Sequence, residues 1–274
     1  MKFIAESINT SIERIKEAVA EGDSNYIKRL AVKLENAGAS YIDLNCGTRI
    51  GDEVEKMTWL VNQVQEVSKL PLCIDSPSPE VIERGLSLAK NRKQPIINSI
   101  TGEKKRMDAI IPMIGKYKAK VIGLLLDDQG MPASAIDRIR IADNLIPALL
   151  GAGVSPDDII VDPIVRPIGT GDTAGLEVFD AIRAIKERYP EVHFSIGLSN
   201  ISHGIPVDEM TNHAFMIMCI LQGLDYCIAN VLDERVRGYA LVAEALTAKD
   251  PYCAKLLKGF RKGYFPETQN YLDF

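Results

Sequence analysis

Residues 24–47 read SNYIKRLAVKLENAGASYIDLNCG. Ile27, Leu30, Ala31 and Leu34 recur at helical spacing and Gly38 is a good stop, so the spacing predicts a helix over Ser24–Asn36. The next run, Ser40–Leu44, is short and strand-like, and it leads into Asn45-Cys46-Gly47. The same alternation continues in both directions. Strands are predicted at Phe3–Ala5, Leu70–Ile74, Pro95–Ile97, Lys120–Leu126, Ile159–Pro163, Val192–Gly197 and Asp225–Ala229. Several are continuously apolar, as parallel strands covered on both faces should be. Between them, helical periodicity marks Glu53–Val67, Pro79–Ala89, Glu103–Tyr117, Ser134–Leu150, Thr173–Arg188, Asn212–Leu221 and a long segment after Asp233.

Strand and helix thus alternate without a linker or a shift in composition, which argues for a parallel α/β fold. Eight such units in 274 residues favour a closed (β/α)8 TIM barrel over an open sheet. No GxGxxG follows the first strand, and the pair Gly169 and Gly171 lacks a third glycine. Residues 1–274 are expected to form a single barrel domain, with 259–274 (GFRKGYFPETQNYLDF) a more polar and aromatic C-terminal tail. The tail is expected either over the barrel or against a partner subunit.

Composition narrows the function. The chain is 46% hydrophobic and 25% charged, ordinary values for a folded protein. A net charge of −5 lacks the basic footprint of a nucleic-acid binder, and no apolar stretch is long enough for a membrane span. The five cysteines (Cys46, Cys73, Cys219, Cys227, Cys253) are odd in number and form no CxxC pair. That pattern, with no signal-peptide core at the N-terminus, predicts a cytoplasmic protein.

In such a barrel the active site forms at the C-terminal ends of the strands. Those ends read Glu6-Ser7-Ile8-Asn9, Asp43-Leu44-Asn45-Cys46-Gly47, Asp75-Ser76, Asn98-Ser99, Asp127-Asp128, Asp162, Ser199-Asn200 and Asn230. Carboxylates and carboxamides dominate, while Arg166 and His203 follow a few residues later in loops. A carboxylate accepts two adjacent N–H bonds, and an Asn amide donates and accepts together. The rim therefore suits a flat ligand with a fixed donor–acceptor edge, such as a pterin or purine. A sugar phosphate would instead want Lys, Arg or a glycine-rich loop near the last strands.

Each of these residues also has a plainer reading, as a turn former or helix cap. Asp127-Asp128-Gln129-Gly130 reads as a turn, and Asp43 could serve neighbouring backbone. Asp75, Asn98, Asp162 and Asn200 resist that reading as a group, because converging polar groups without partners cost about 1–3 kcal/mol each. The three histidines, His193, His203 and His213, show no metal-ligand spacing, and no GxSxG elbow is present. No metal is expected. His193 reads as a satisfied histidine within a strand, and His213 as the beginning of a helix.

Five of these strand-end motifs, Ile42-Asp43-Leu44-Asn45, Cys73-Ile74-Asp75-Ser76, Ile97-Asn98-Ser99, Val161-Asp162-Pro163 and Gly197-Leu198-Ser199-Asn200-Ile201-Ser202, occur in register. Together they resemble the pterin-binding methyltransferase family over roughly residues 1–255. That family includes the methyltetrahydrofolate:corrinoid/iron–sulfur protein methyltransferases and the folate module of cobalamin-dependent methionine synthase. The resemblance implies a homodimeric barrel that holds tetrahydrofolate with its pterin deep in the mouth. A methyl group would pass between N5 of the pterin and the cobalt of a corrinoid (cobalamin) carried by a partner protein, giving or consuming 5-methyltetrahydrofolate.

By position, Asp75, Asn98 and Asp162 match the family residues that hydrogen-bond the pterin, and Asn200 matches the catalytic Asn at N5. Asp43, Asn45, Gly197 and Ser199 fall in the elements lining the same mouth. Relatives tend to carry Glu-Arg-Ile-Asn where this chain has Glu6-Ser7-Ile8-Asn9. Many also have an arginine after GLSNIS, where this chain has His203-Gly204-Ile205-Pro206. That altered loop leans the expected role towards demethylation.

Two alternatives remain open. Dihydropteroate synthase shares the barrel, but it normally shows a basic signature near the eighth strand and a glycine-rich element after the sixth. A folate-binding module without catalysis would bind tetrahydrofolate but exchange no methyl group.

Overall fold

The computed structural model describes residues 1–49, 51–89 and 93–265. Eight parallel strands form one sheet: β1 (Lys2–Asn9), β2 (Tyr41–Asn45), β3 (Leu72–Asp75), β4 (Ile96–Thr101), β5 (Lys120–Leu124), β6 (Ile159–Asp162), β7 (His193–Phe194) and β8 (Tyr226–Ala229). Their spatial order is β7-β6-β5-β4-β3-β2-β1-β8. A parallel bridge between Gly197 and Ile228, with the Ile228 amide on the Ile196 carbonyl at 2.9 Å, joins the two ends. The result is the expected (β/α)8 barrel.

Ten α-helices are described around it: α1 (Glu13–Glu21), α2 (Ser24–Asn36), α3 (Glu53–Val67), α4 (Pro79–Leu88), α5 (Lys104–Tyr117), α6 (Ala135–Gly151), α7 (Ala174–Arg188), α8 (Asp208–Gln222), α9 (Glu234–Leu246) and α10 (Ala254–Arg261).

The period-two geometry of a strand sorts side chains between two apolar layers. Outward-facing Ala5, Ile42, Leu44, Ile74, Ile97, Val121 and Val161 pack with the helices. Ile4, Tyr41, Cys73, Ile96, Ile122, Ile160 and Tyr226 form a separate cluster inside the barrel. Two residues further along their strands, the inward positions are Glu6, Asp43, Asp75, Asn98 and Asp162. Apolar filling therefore ends where the polar mouth begins.

Several boundaries differ from the sequence reading. β1 runs past Ala5 to Asn9, with a register slip against β2 between Ala5 and Ile8. β4 continues from Asn98 to Thr101 through a similar slip against β5. Polar residues at these ends face the mouth, so polarity does not mark the end of pairing. β7 is shorter than expected, although backbone bonds continue beyond it, with the Ser195 amide on the Val161 carbonyl at 2.9 Å and the bridge at Gly197; the Phe194 amide bonds the Asp225 side chain at 2.9 Å. Helix α1, carrying buried Ile15, Ala18 and Val19 and ending at Gly22 with φ 70°, was not expected.

α8 starts at Asp208, so His213 lies inside this helix instead of beginning it. There it is buried, with Nε2 2.8 Å from Asp233 Oδ2. His193 is the satisfied strand histidine expected, set between Asp225 and Asp157 at the barrel's N-terminal end. The segment assigned to a tail begins inside α10, and Tyr264 and Phe265 pack against Gly238 of α9. Residues 266–274 of that segment lie outside the described residues.

Candidate active site

The strand ends assemble the mouth in three groups. In the first, β2, β3 and β4 place Asn45 beside Asp75 and Asp75 beside Asn98 in register. Asn45 Nδ2 donates to Asp75 Oδ2 at 2.7 Å, while its Oδ1 accepts from the Gly47 amide at 2.9 Å. Asn45 thus orients Asp75 and shapes its own loop. Asn98 Nδ2 reaches Asp43 Oδ1 at 3.4 Å. The backbone behind this group is held by Arg106 of α5, whose guanidinium donates to the carbonyls of Ser76 (2.9 Å), Pro77 and Ser99 (2.6 Å).

Asp162, on β6, forms the second group. It is buried, and its Oδ1 accepts from the Ile164 amide at 2.8 Å. The third is the turn Leu198–Asn200 after β7, which exposes Ser199 and Asn200. Gly197 leads into that turn. A β-carbon there would sit 2.8 Å from Asn200 Nδ2, so glycine leaves the space this amide occupies. Ser199 shares a cleft of about 220 Å³ with Glu6 and Asn230, between the β7 and β8 loops.

Burial sets the protonation of the mouth. It pushes Glu6 up to about 7. It also pushes Asp162 up to about 6, against the opposing pull of the Ile164 amide. Burial raises Asp43 well above the carboxylate range, and the nearby charge of Asp75 adds to the rise. Asp75 itself is raised by burial, against the Asn45 hydrogen bond and the Arg106 charge. Glu6 and Asp162 so placed exchange protons near neutrality and become better acceptors when a ligand brings N–H donors. Asp75 and Asn98 on adjacent strands and Asp162 on β6 offer carboxylate acceptors and a mixed amide at the same end of the barrel, groups suited to a flat heterocycle with the complementary pattern.

Other strand-end residues serve the loops. Asp127 accepts from the Gln129 amide and pairs with Arg140, the turn role read from sequence. Asn9 and Asn230 each accept a backbone amide two residues on, from Ser11 and Leu232. Arg166 pairs with Glu177 at 2.7 Å, and His203 is exposed. Among the described residues, no cluster of three or more His, Cys, Asp or Glu side chains could hold a metal ion.

Sequence reasoning assigned no role to Glu6, Arg106 or Arg138. For Arg138 a signal existed, since it lies three, four and seven residues before buried Ile141, Ala142 and Leu145. A charge on an apolar helical stripe must find partners inside.

With this geometry in view, the class follows. The sequence profile of pterin binding enzymes matches residues 6–230, and the chain belongs to that family. Within it, the chain is 31% identical over 271 residues to the methylcorrinoid:tetrahydrofolate methyltransferase of Eubacterium limosum, covering 98% of this chain and 99% of that one. The chain is accordingly an enzyme of the methyltransferase class. It is also 30% identical over 247 residues to the methionine synthase of Mycobacterium tuberculosis, of which it spans 20%. In fold it resembles a Yersinia pestis DHPS bound to a pterine–sulfa conjugate, with a TM-score of 0.66 at 14% identity, over 90% of this chain and 94% of that one.

Proposed function

We propose that this protein transfers a methyl group from the cobalt of a protein-bound corrinoid to N5 of tetrahydrofolate, forming 5-methyltetrahydrofolate. The observation that carries the reading is the polar strand-end set of Asp75, Asn98 and Asp162, with Asn98 and Asp162 buried and Asp75 half-buried, above an apolar barrel interior. Near-full-length similarity to a methylcorrinoid:tetrahydrofolate methyltransferase supports both substrates and the direction. Asp162 and Asp75 accept the N–H groups of the pterin, Asn98 bridges donor and acceptor, and Asn200 meets N5 from the β7 turn. Asp43 and Asn45 orient Asn98 and Asp75, while Gly197 and Ser199 shape the turn.

In the transfer, the N5 lone pair forms the new C–N bond. The methyl carbon leaves cobalt without its bonding pair, which stays on the metal, and the N5 proton passes to solvent. Positive charge gathers at N5 as the bond forms. In this reading the Asn200 amide oxygen accepts from N5–H and stabilises that charge mainly in the transition state.

A role in demethylation, with methylated compounds feeding the corrinoid protein, is the physiological setting we infer. We place the protein in a reducing cytoplasm, consistent with its free cysteines. Among the described residues, no helix is long and apolar enough to cross a membrane.

A homodimer is supported by an exposed apolar stripe along α8, from Val207 through Met210 and Met218 to Leu221. Sedimentation at micromolar concentration is expected to give a dimer, and a monomer there would remove this part of the reading.

The function itself is tested anaerobically, by mixing the protein with methylcobalamin and tetrahydrofolate and following the corrinoid spectrum. Loss of the methyl–cobalt bands with formation of methyltetrahydrofolate is expected. Absence of tetrahydrofolate binding would refute the pterin assignment.

A further inference from the structure

Asp162 owes its orientation to an unusual piece of backbone. The Ile164 amide that bonds it belongs to a residue with φ 59°. This is the left-handed region, where a β-branched side chain is a true outlier. Such a conformation persists only where the surroundings over-determine it.

One buried side chain grips the backbone here from two sides. Arg138, fully buried on α6, donates Nε to the Pro163 carbonyl at 2.6 Å and Nη2 to the Ile164 carbonyl at 3.0 Å. Its Nη1 bonds the Ser134 carbonyl at 3.0 Å and approaches Glu177 Oε2 at 3.3 Å. Each anchor is itself fixed. Ser134 and Asp137 form a capping box at the start of α6, so the helix begins at a set place just before Arg138. Glu177 is held by Thr173 Oγ1 and Arg166 Nη2, each at 2.7 Å.

We propose that Arg138 is the positioning residue for Asp162. Its guanidinium fork grips the carbonyls of Pro163 and Ile164, holds Ile164 left-handed, and so presents the Ile164 amide to the carboxylate. This inference rests on the pterin reading of Asp162. Arg138 contacts only protein groups, and its effect reaches the ligand through the loop. Lysine preserves the charge facing Glu177, but it is a point donor without the planar fork and does not bridge both carbonyls in the same way.

The test measures tetrahydrofolate affinity by calorimetry and methyl-transfer kinetics, with thermal melts to confirm folding. Arg138→Lys is expected to weaken tetrahydrofolate binding roughly tenfold, with the loss in KM and with kcat at saturation within about threefold. Adding Ile164→Gly, a residue that takes the left-handed conformation without a steric penalty, is expected to restore most of that affinity.

A purely space-filling arginine predicts no such rescue, since glycine fills no space. Should Arg138→Lys not fold, Glu177→Gln loosens the far side of the same clamp, and about a threefold loss, again reversed by Ile164→Gly, is expected. Wild-type affinity in both single variants, or losses that Ile164→Gly leaves unchanged, would overturn the assignment. Failure of the unmodified protein to bind tetrahydrofolate would instead overturn the pterin reading, and this inference with it.

Discussion

Asp162→Asn is expected to weaken tetrahydrofolate binding by about a hundredfold while stabilising the empty protein. The affinity loss follows from charge-assisted hydrogen bonds worth about 1.5–3 kcal/mol each, of which the amide loses two and turns a donor towards the pterin's own donors. The stability gain follows from linkage. Burial raises the Asp162 carboxyl from 3.8 to about 6 in the folded protein. Its contribution to stability is therefore complete below pH 3.8 and is lost as pH rises through 6.

An asparagine cannot ionise, so it escapes that loss and can still accept from the Ile164 amide. The gain should approach about 3 kcal/mol at pH 8, shrink to a small fraction of that near pH 4 and vanish only well below the unfolded value. Urea unfolding at both pH values, beside calorimetric titration with tetrahydrofolate, checks the two halves together. Unchanged affinity would remove Asp162 from the pterin site, whereas a stability loss at pH 8 would contradict the burial argument alone.

The second large effect is kinetic. Asn200→Ala is expected to lower methyl-transfer turnover by about two orders of magnitude and tetrahydrofolate affinity by no more than about threefold. The asymmetry arises because charge at N5 develops during transfer, so a group that meets it contributes most in the transition state. The exposed position of Asn200, on a turn instead of within the barrel, agrees with that division. On the proposed reading, the edge of Asp75, Asn98 and Asp162 holds the ring, and the turn meets the reacting atom. Pre-steady-state rates at saturating tetrahydrofolate decide the matter. Equal losses in rate and affinity would make Asn200 only a ground-state binding residue.

These expectations rest on residues with different legibility in the chain. Asp75, Asn98 and Asp162 could be picked out because each follows an apolar strand by a fixed step, and a barrel turns that step into depth within one mouth. Asn45 looked equally able to bind a ligand, yet the structure gives its amide to Asp75 and Gly47. Nothing in the local sequence separates the two cases, since the partners come from neighbouring strands.

Glu6 reads in the sequence only as the end of the first strand. Only its burial reveals a carboxyl near neutrality. The buried position of Arg138 is legible on its helix face, but the partners of Arg106 and Arg138 are not, because both act on backbone carbonyls of loops far along the chain.

What the sequence by itself determined is the architecture: apolar runs bounded by helical periodicity have few ways to bury both faces, and eight such units close into a barrel. It also determined the chemical character of the mouth, because strand ends in that fold have only one place to go. Tertiary structure alone decided which polar groups stay available to a ligand and which are used as supports. It also decided how far each carboxyl is lifted from its ordinary range and which arginine holds the loop at Asp162. The physical reason is that hydrogen-bond partnership and desolvation depend on groups brought together across the barrel, and no local pattern encodes those distances.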